Sequence, residues 1–220
     1  MQTVSFVQED AETLLRQGAE QLGLALSSEQ LAQLLAYHQL LVKWNQAYNL
    51  TAVRDPLEMV RRHLVDSLSI LPYLQDLPTG SRVLDVGSGG GMPGVMMAIM
   101  RPDLQLAMLD SNGKKTRFLS QVKLSLALSF EVLHQRLEHY QPEQGYDLIS
   151  CRAFSSLPDL VNWSQQCLQP EGAWLAMKGQ APSEELANLP SHVVLDWLQP
   201  LQVPYADGAR HLVRLVFAKG

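Results

Sequence analysis

The residues most suggestive of chemistry lie in one glycine-rich stretch and at an acidic position beyond it. Residues 83–94, VLDVGSGGGMPG, join an apolar strand pattern to five glycines. Glycines directly after a buried strand allow the chain to turn sharply and bring a ligand against bare backbone. Asp110 follows at the end of the next apolar stretch, where a carboxylate can accept hydrogen bonds from both ribose hydroxyls. Together these features predict a site for an adenosine-containing cofactor.

Two cofactors are compatible with the glycines. Gly89, Gly91 and Gly94 satisfy the G-x-G-x-x-G pattern of dinucleotide sites. Gly87, Gly89 and Gly91 also give the alternating glycines of S-adenosylmethionine sites, with Asp85 two residues before the first. A carboxylate there suits the positively charged methionine end of that cofactor and would repel a diphosphate. The pattern therefore favours S-adenosylmethionine over NAD.

The residues after the fourth predicted strand argue against two common methyl-transfer chemistries. Enzymes that methylate exocyclic amines usually carry an Asn/Asp-Pro-Pro-aromatic element there, whereas residues 150–154 read SCRAF. Methylation at pyrimidine C5 needs a cysteine nucleophile, but Cys151 lacks a preceding proline and is more typical of a small buried hydrophobic residue. Guanine N7 carries a lone pair and no proton, so it needs positioning rather than a general base. The pattern permits this acceptor, and it permits a small molecule equally.

Basic residues are few, but their placement is informative. The net charge of −5 argues against a generic nucleic-acid coat protein and allows a local basic surface. Candidate phosphate contacts lie near the third predicted helix and after the predicted strands: Arg54, Arg62, His63, Lys114, Lys115, Arg117, Arg136, Arg152 and Lys178. Because the loops after parallel strands share one sheet edge with the cofactor, we expect several of these charges to surround the cleft. For Lys114 and Lys115, a solvated helix face explains the sequence as well.

The spacing of apolar residues predicts a helical region followed by a sheet that would position these residues. Residues 8–75 have helical spacing, with one start at a capping box of Ser27 and Gln30 and another at Asp55 and Pro56. From residue 81, apolar stretches alternate with helical ones, which indicates a largely parallel sheet with right-handed crossovers. The predicted strands are 82–86, 104–109, 130–133, 146–151, 173–177, 192–198 and 211–218. The last two should pair antiparallel, because only a loop with Pro200 and Pro204 separates them.

These elements define the predicted fold class and domains. We predict an α/β, Rossmann-like methyltransferase domain over residues 79–220, with a helical N-terminal extension over residues 1–78. The two cysteines form no disulfide framework or paired zinc motif, and the histidines lack metal-ligand spacing. The start has no basic secretory signal, and the longest apolar run is too short for a membrane span. We therefore expect a cytoplasmic protein without a metal.

Six motifs carry a resemblance to a known family. They are YNLTA at 48–52, RHLVDSL at 62–68, LDVGSGGGMPG at 84–94, LDS at 109–111 with lysines at 114–115, CRAF at 151–154 and KGQ at 178–180. In this order they resemble the RsmG (GidB) family of bacterial 16S ribosomal RNA guanine-N7 methyltransferases. The chain departs from the usual family pattern at Gly90, where a proline is common. That difference makes the loop more flexible and leaves the chemistry unchanged.

The resemblance implies an enzyme that uses S-adenosylmethionine to methylate N7 of one guanosine, position 527 in the decoding region of 16S rRNA. It implies cofactor contacts at Gly87, Met92, Asp110, Ser111, Leu137 and Glu138. Arg152 matches the family's cleft arginine, which contacts cofactor, substrate or both. The expected partner is 16S rRNA within the small ribosomal subunit, and the expected state is a monomer. A small-molecule methyltransferase and a non-catalytic RNA-binding module remain the alternatives.

Overall fold

The first third of the chain is helical. The computed structural model describes residues 2–219, with side chains from residue 9 onward. Its first two helices are α1, Gln2–Gln21, and α2, Ser28–Tyr48. The predicted capping box starts α2, since Ser27 Oγ accepts from the Gln30 amide at 3.1 Å and the Gln30 side chain accepts from the Ser27 amide at 2.9 Å.

A third helix changes its winding along its length. It comprises α3, Pro56–Met59, a π-helical segment, Val60–Val65, and α4, Asp66–Leu68. The predicted start is confirmed, because Asp55 accepts from the Glu58 amide at 2.8 Å and Pro56 occupies the first turn. The sequence did not predict the π-helical segment, a feature that often occurs near functional sites.

The remaining chain forms the sheet and the helices that connect its strands. The strands are β1 Arg82–Val86, β2 Gln105–Asp110, β3 Glu131–His134, β4 Tyr146–Arg152, β5 Leu168–Lys178, β6 Val193–Leu201 and β7 Arg210–Phe217. The α-helices are α5 Gly94–Met100, α6 Gly113–Ser125, α7 Leu157–Ser164 and α8 Ser183–Ala187. Short 3-10 helices span Leu71–Leu74, Leu137–His139 and Gln165–Cys167.

The predicted sheet topology is confirmed. The strand order is β3-β2-β1-β4-β5-β7-β6, with the first five strands parallel and β7 antiparallel to both of its neighbours. Two strand boundaries differ from the prediction by three residues or more, and the others by at most one. β5 begins at Leu168, before Pro170, where an irregular register opposite Tyr146 accommodates the early residues. β6 continues through Pro200. Proline has no N–H to donate, which an edge strand tolerates because one of its sides is not paired with another strand.

Hydrophobic side chains cover both faces of the sheet. One core joins Leu34, Leu41 and Leu64 of the helical region to Val83 and Met108 of the sheet. The other packs β4, β5 and α7 on the opposite face. The division at residue 78 stays a prediction, and the first core continues across it. Within residues 2–219, no helix combines the length and apolar character needed to cross a membrane.

Candidate active site

The glycine loop after β1 is held at the end of the neighbouring strand. Gly87, Gly89 and Gly91 have φ values of +65°, +57° and +92°, in the left-handed region that favours glycine. The amides of Gly87 and Ser88 both donate to the Leu109 carbonyl, at 2.8 and 3.2 Å. The loop therefore presents bare backbone beside the carboxyl end of β2.

Asp110 stands at that end and is oriented by the loop. Its side chain is buried, with Oδ2 accepting from the Gly89 amide at 2.9 Å and lying 3.6 Å from Lys115 Nζ. Oδ1 accepts from the Asn112 amide at 2.8 Å. Each carboxylate oxygen retains lone pairs for further donors such as ribose hydroxyls.

A cavity of about 370 Å³ opens beside Asp110 at the carboxyl ends of β1 to β4. Five predicted cofactor residues line it: Gly87, Asp110, Ser111, Leu137 and Glu138. The other lining residues are Leu109, Lys115, Gln135, Arg136, Ala153, Phe154 and Trp163. Sequence reasoning missed the two aromatic residues, although Phe154 belongs to the CRAF motif.

Phe154 and Trp163 form an aromatic wall of the cavity. Their rings meet edge to face, with centroids 6.1 Å apart. A Cβ atom placed on Gly87 would lie only 2.3 Å from Phe154 Cδ2, so the ring rests directly on the glycine backbone. Ala153, the preceding residue, has a φ of +50°, and this left-handed turn helps to set the direction of Phe154.

Asp85 lies behind the loop instead of lining the cavity. It is fully buried, and its carboxylate accepts from Ser150 Oγ at 2.9 Å and from the Gly94 amide at 3.2 Å. Burial raises its pKa to about 6, an effect that these hydrogen bonds oppose. Asp85 therefore ties the loop to β4 and to the start of α5, and its direct contact with a charged ligand stays a prediction. Gly89, Gly91 and Met92 also lie outside the cavity lining.

Arg152, at the end of β4, joins a partly buried charge network. Its Nη1 lies 2.9 Å from Asp66 Oδ2, and Arg210 Nε lies 2.7 Å from Asp66 Oδ1. Arg152 Nη2 also lies 3.4 Å from Met92 Sδ, beside the glycine loop. The sequence predicted Arg152 but missed Asp66 and Arg210, because 144 residues separate that pair. The network fixes a guanidinium between the helical extension and the glycine loop.

The predicted basic residues divide into exposed side chains and side chains with internal charged or polar partners that remove them from phosphate binding. Five are exposed: Arg54, Arg62, Lys114, Arg117 and Arg136. Lys178 is engaged within the protein, at 2.8 Å from Glu185 Oε2 and donating to the Ser155 carbonyl at 2.8 Å. The ion pair neutralises Lys178, so the expected role in phosphate binding is not supported by its position.

His63 also has an internal partner. Its Nε2 lies 2.6 Å from Thr51 Oγ1, in the YNLTA motif. Burial, followed by the nearby Arg152 charge, lowers the pKa of His63 to about 4. A neutral imidazole cannot supply the positive charge expected for phosphate binding. Its contact instead connects the third helix to the loop that follows α2.

Other reactive groups are unsuited to catalysis here. Cys151 is buried in the core on the α7 face, and burial raises the pKa of its thiol to about 12, so it is no nucleophile. His38 is buried and bonded to the Pro56 carbonyl at 2.8 Å, as expected of a core histidine. Across the described residues, no three or more His, Cys, Asp or Glu side chains cluster as a metal site.

Comparison with known proteins agrees with this geometry. A family model described as GidB, rRNA small subunit methyltransferase G, matches residues 30–213. The chain is 56% identical over 213 residues to "Ribosomal RNA small subunit methyltransferase G" of Ectopseudomonas mendocina, covering 96% of this chain and 98% of that protein. The protein of that name in Pseudomonas aeruginosa LESB58 is 56% identical over 202 residues, covering 91% and 93%.

The fold also matches solved structures at low sequence identity. A SAM-dependent methyltransferase from Thiobacillus denitrificans, in complex with S-adenosyl-L-homocysteine, aligns with a TM-score of 0.54 and 14% identity. The alignment covers 80% of this chain and 96% of that one. At this identity the likeness concerns the fold alone.

Proposed function

The chain belongs to the GidB family of rRNA small subunit methyltransferases, and we propose that it methylates guanine N7 at one guanosine of 16S rRNA. The methyl donor is S-adenosylmethionine, as in the family. The observation that carries the proposal is a cavity that combines a buried, oriented ribose-binding carboxylate, bare glycine backbone and aromatic walls. All three lie at the carboxyl edge of a parallel sheet, where open α/β folds bind ligands.

The residues present fit S-adenosylmethionine. Asp110 would hold the ribose hydroxyls with Ser111, while Leu137 and Glu138 would border the adenine beside Phe154. The methionine end would extend along the glycine loop toward Met92 and Arg152. When bound, the cofactor supplies an electrophilic methyl group on a positively charged sulfur.

The side chains around the cavity suit an acceptor that needs no deprotonation. Asp85 is buried behind the loop, Cys151 faces the core and His63 is bonded to Thr51. Guanine N7 attacks with a free lone pair, so the protein needs only to align it with the methyl group and exclude water. The Asp66–Arg152 ion pair would hold the Arg152 guanidinium in place beside the glycine loop, where it can orient the base.

The modest basic surface favours the assembled small subunit over free RNA as the substrate. The exposed arginines and lysines are few in a chain of net charge −5. A preformed RNA–protein surface would supply contacts that these charges alone do not, so the small ribosomal subunit is the proposed substrate. We further propose that the enzyme acts in the cytoplasm as a monomer.

The test uses small subunits from cells that lack this activity and tritiated S-adenosylmethionine. After reaction, the RNA is cleaved chemically at 7-methylguanosine and the site is mapped. We expect label at one decoding-region guanosine, lost in Asp110→Ala and Arg152→Ala variants that remain folded by circular dichroism. Cofactor binding without label on subunits or free RNA would contradict the proposal and leave a small-molecule acceptor or a non-catalytic role.

A further inference from the structure

Aromatic rings connect the glycine loop to the protein surface along α2 and α6. Tyr37 donates its hydroxyl to the Gly90 carbonyl at 2.6 Å, and its ring lies 6.3 Å from that of Phe118. Trp44 follows at 5.6 Å from Phe118, and Tyr48 at 5.1 Å from Trp44, with an interplanar angle of 31°. Phe118 and Tyr37 are buried, whereas Tyr48 is 40% exposed. The packed rings beneath it therefore support an exposed tyrosine.

An arginine is bonded to the end of α2 that carries this tyrosine. Arg54 Nη1 donates to the Asn45 carbonyl at 3.1 Å and Nη2 to Asn49 Oδ1 at 2.5 Å, so its guanidinium is fixed against the C-terminal end of α2, which carries Tyr48. Arg54 is exposed, and within residues 9–219 it forms no ion pair with a carboxylate. Lys114, also exposed, lies one helical turn before Phe118 on α6.

A second exposed tyrosine also packs on a tryptophan, but acidic residues lie near it. Tyr73 is 38% exposed, and its ring lies 5.7 Å from that of Trp197. Its groove contains Asp76 and Asp147, and the arginine there, Arg214, is paired with Asp196. That surface would repel a phosphate backbone, whereas the Arg54 guanidinium at the end of α2 would attract one.

We propose that Tyr48 is a stacking platform for an unpaired base of the RNA substrate, with Arg54 contacting an adjacent phosphate. This inference rests on the proposed function and adds a contact outside the cofactor cavity. Proteins recognise unpaired RNA bases by stacking them on aromatic side chains beside basic groups that follow the backbone. The packing of Tyr48 on Trp44 fixes the ring before binding, which lowers the entropic cost of stacking.

The experiment compares Tyr48→Phe, Tyr48→Leu and Tyr48→Ala with Tyr73→Ala as the matched control. Methyl transfer to unmethylated small subunits gives KM and kcat, and calorimetry gives the Kd for S-adenosylmethionine. Filter binding to protein-free 16S RNA measures the RNA contact separately. Loss of one stacked base should raise the KM for subunits and the Kd for RNA about fivefold or more in Tyr48→Ala and Tyr48→Leu. Tyr48→Phe and Tyr73→Ala should stay within about twofold, since both leave this stack intact.

Each other outcome overturns the platform. If Tyr48→Phe is as defective as Tyr48→Ala, the hydroxyl and not the ring makes the contact. If Tyr48→Leu behaves as the natural protein, or only the subunit KM changes, the partner is an apolar protein surface. If the natural chain methylates subunits and Tyr48→Ala does so with unchanged KM, the platform fails while the proposed function stands. No methyl transfer by the natural chain would contradict the proposed function itself.

Discussion

At the residue scale, Gly87 has two separate reasons to be glycine. Its φ of +65° disfavours any side chain, and a Cβ atom would lie 2.3 Å from the Phe154 ring. Gly80 shares only the first reason, with a φ of +81° and nothing within 4 Å of an added Cβ. The pair thus separates backbone strain from a steric effect on the cavity.

We predict that Gly87→Ala weakens S-adenosylmethionine binding about tenfold or more, equivalent to about 1.4 kcal/mol. Gly80→Ala should leave the Kd unchanged, because its only cost is the left-handed conformation, about 1–2 kcal/mol of stability. Calorimetric titration gives the Kd, and urea unfolding gives the stability of each variant. Equal Kd values for Gly87→Ala and the natural protein would show that Phe154 moves aside without cost.

Asp85 gives a second residue-scale prediction, in the pH dependence of stability. Burial raises its folded-state pKa from 3.8 to about 6, so the folded protein binds a proton more tightly than the unfolded chain. The stabilisation from this proton is complete at low pH and is lost as the pH rises through about 6. Relative to Asp85→Asn, the natural protein should lose up to about 3 kcal/mol between about pH 4 and about pH 7.

The measurement is urea unfolding of both proteins across this pH range. Asp103→Asn is the control, because Arg101 lowers the pKa of Asp103 and moves its titration below the same window. If the natural protein instead became more stable relative to Asp85→Asn as the pH rises, the hydrogen bonds from Ser150 and Gly94 would outweigh burial.

At the scale of elements, α2 is hydrogen-bonded to the glycine loop. Tyr37 is fully buried, and its hydroxyl donates to the Gly90 carbonyl across 53 residues of sequence. Burial raises the pKa of Tyr37, so it stays protonated and remains a donor. The helical extension thus contributes to the cofactor site through a contact that lies outside the cavity.

We predict that Tyr37→Phe loses about 1–3 kcal/mol of stability, because the Gly90 carbonyl loses its donor in a buried setting. It should also raise the Kd for S-adenosylmethionine several-fold, since the loop becomes more mobile. Tyr146→Phe is the matched control, a buried tyrosine at the start of β4 whose hydroxyl lies 2.8 Å from that of Tyr140. If both variants bind the cofactor normally, α2 supports the fold and has no effect on the site.

The elements also explain how much could be predicted from the sequence. β1 was placed at its observed bounds, and Asp110 at the end of β2, because strands and glycine turns are specified by adjacent residues. Pro170 concealed the first half of β5, because a proline normally ends a strand and only the irregular register reveals the exception. The contacts of Tyr37 with Gly90 and of Asp66 with Arg210 depend on tertiary packing, so no local sequence pattern predicts them.

At the scale of the whole molecule, one continuous core joins the helical extension to one face of the sheet. The extension is therefore part of the folding unit as well as a cover for the carboxyl edge. The extension carries Arg54 and Arg62. It is held to the sheet by Asp66, which pairs with Arg152 of β4 and Arg210 of β7. Cofactor and substrate surfaces thus come from distant parts of the chain that share one core.

The distribution of charge across the molecule gives the last prediction. The chain carries a net charge of −5, yet Lys114 and Arg117 are exposed near the start of α6, at the cofactor edge. If they contact phosphate, RNA binding releases counterions and its affinity falls as salt rises, whereas cofactor binding should respond little. Lys123 lies in the last turn of the same helix, away from this edge, and serves as the control.

We expect Lys114→Ala and Arg117→Ala each to reduce the slope of log Kd for 16S RNA against log salt by about one. Lys123→Ala should leave the slope unchanged, because its charge lies in the last turn of α6, at the end away from the cofactor edge. Filter binding at four salt concentrations measures the slopes, and calorimetry at the lowest and highest salt confirms a constant Kd for the cofactor. If all three variants had the same slope as the natural protein, α6 would be an ordinary solvated helix. In that case, the substrate would be held mainly by shape and by the extension, with Arg54, Arg62 and Arg136 as the remaining candidate phosphate contacts.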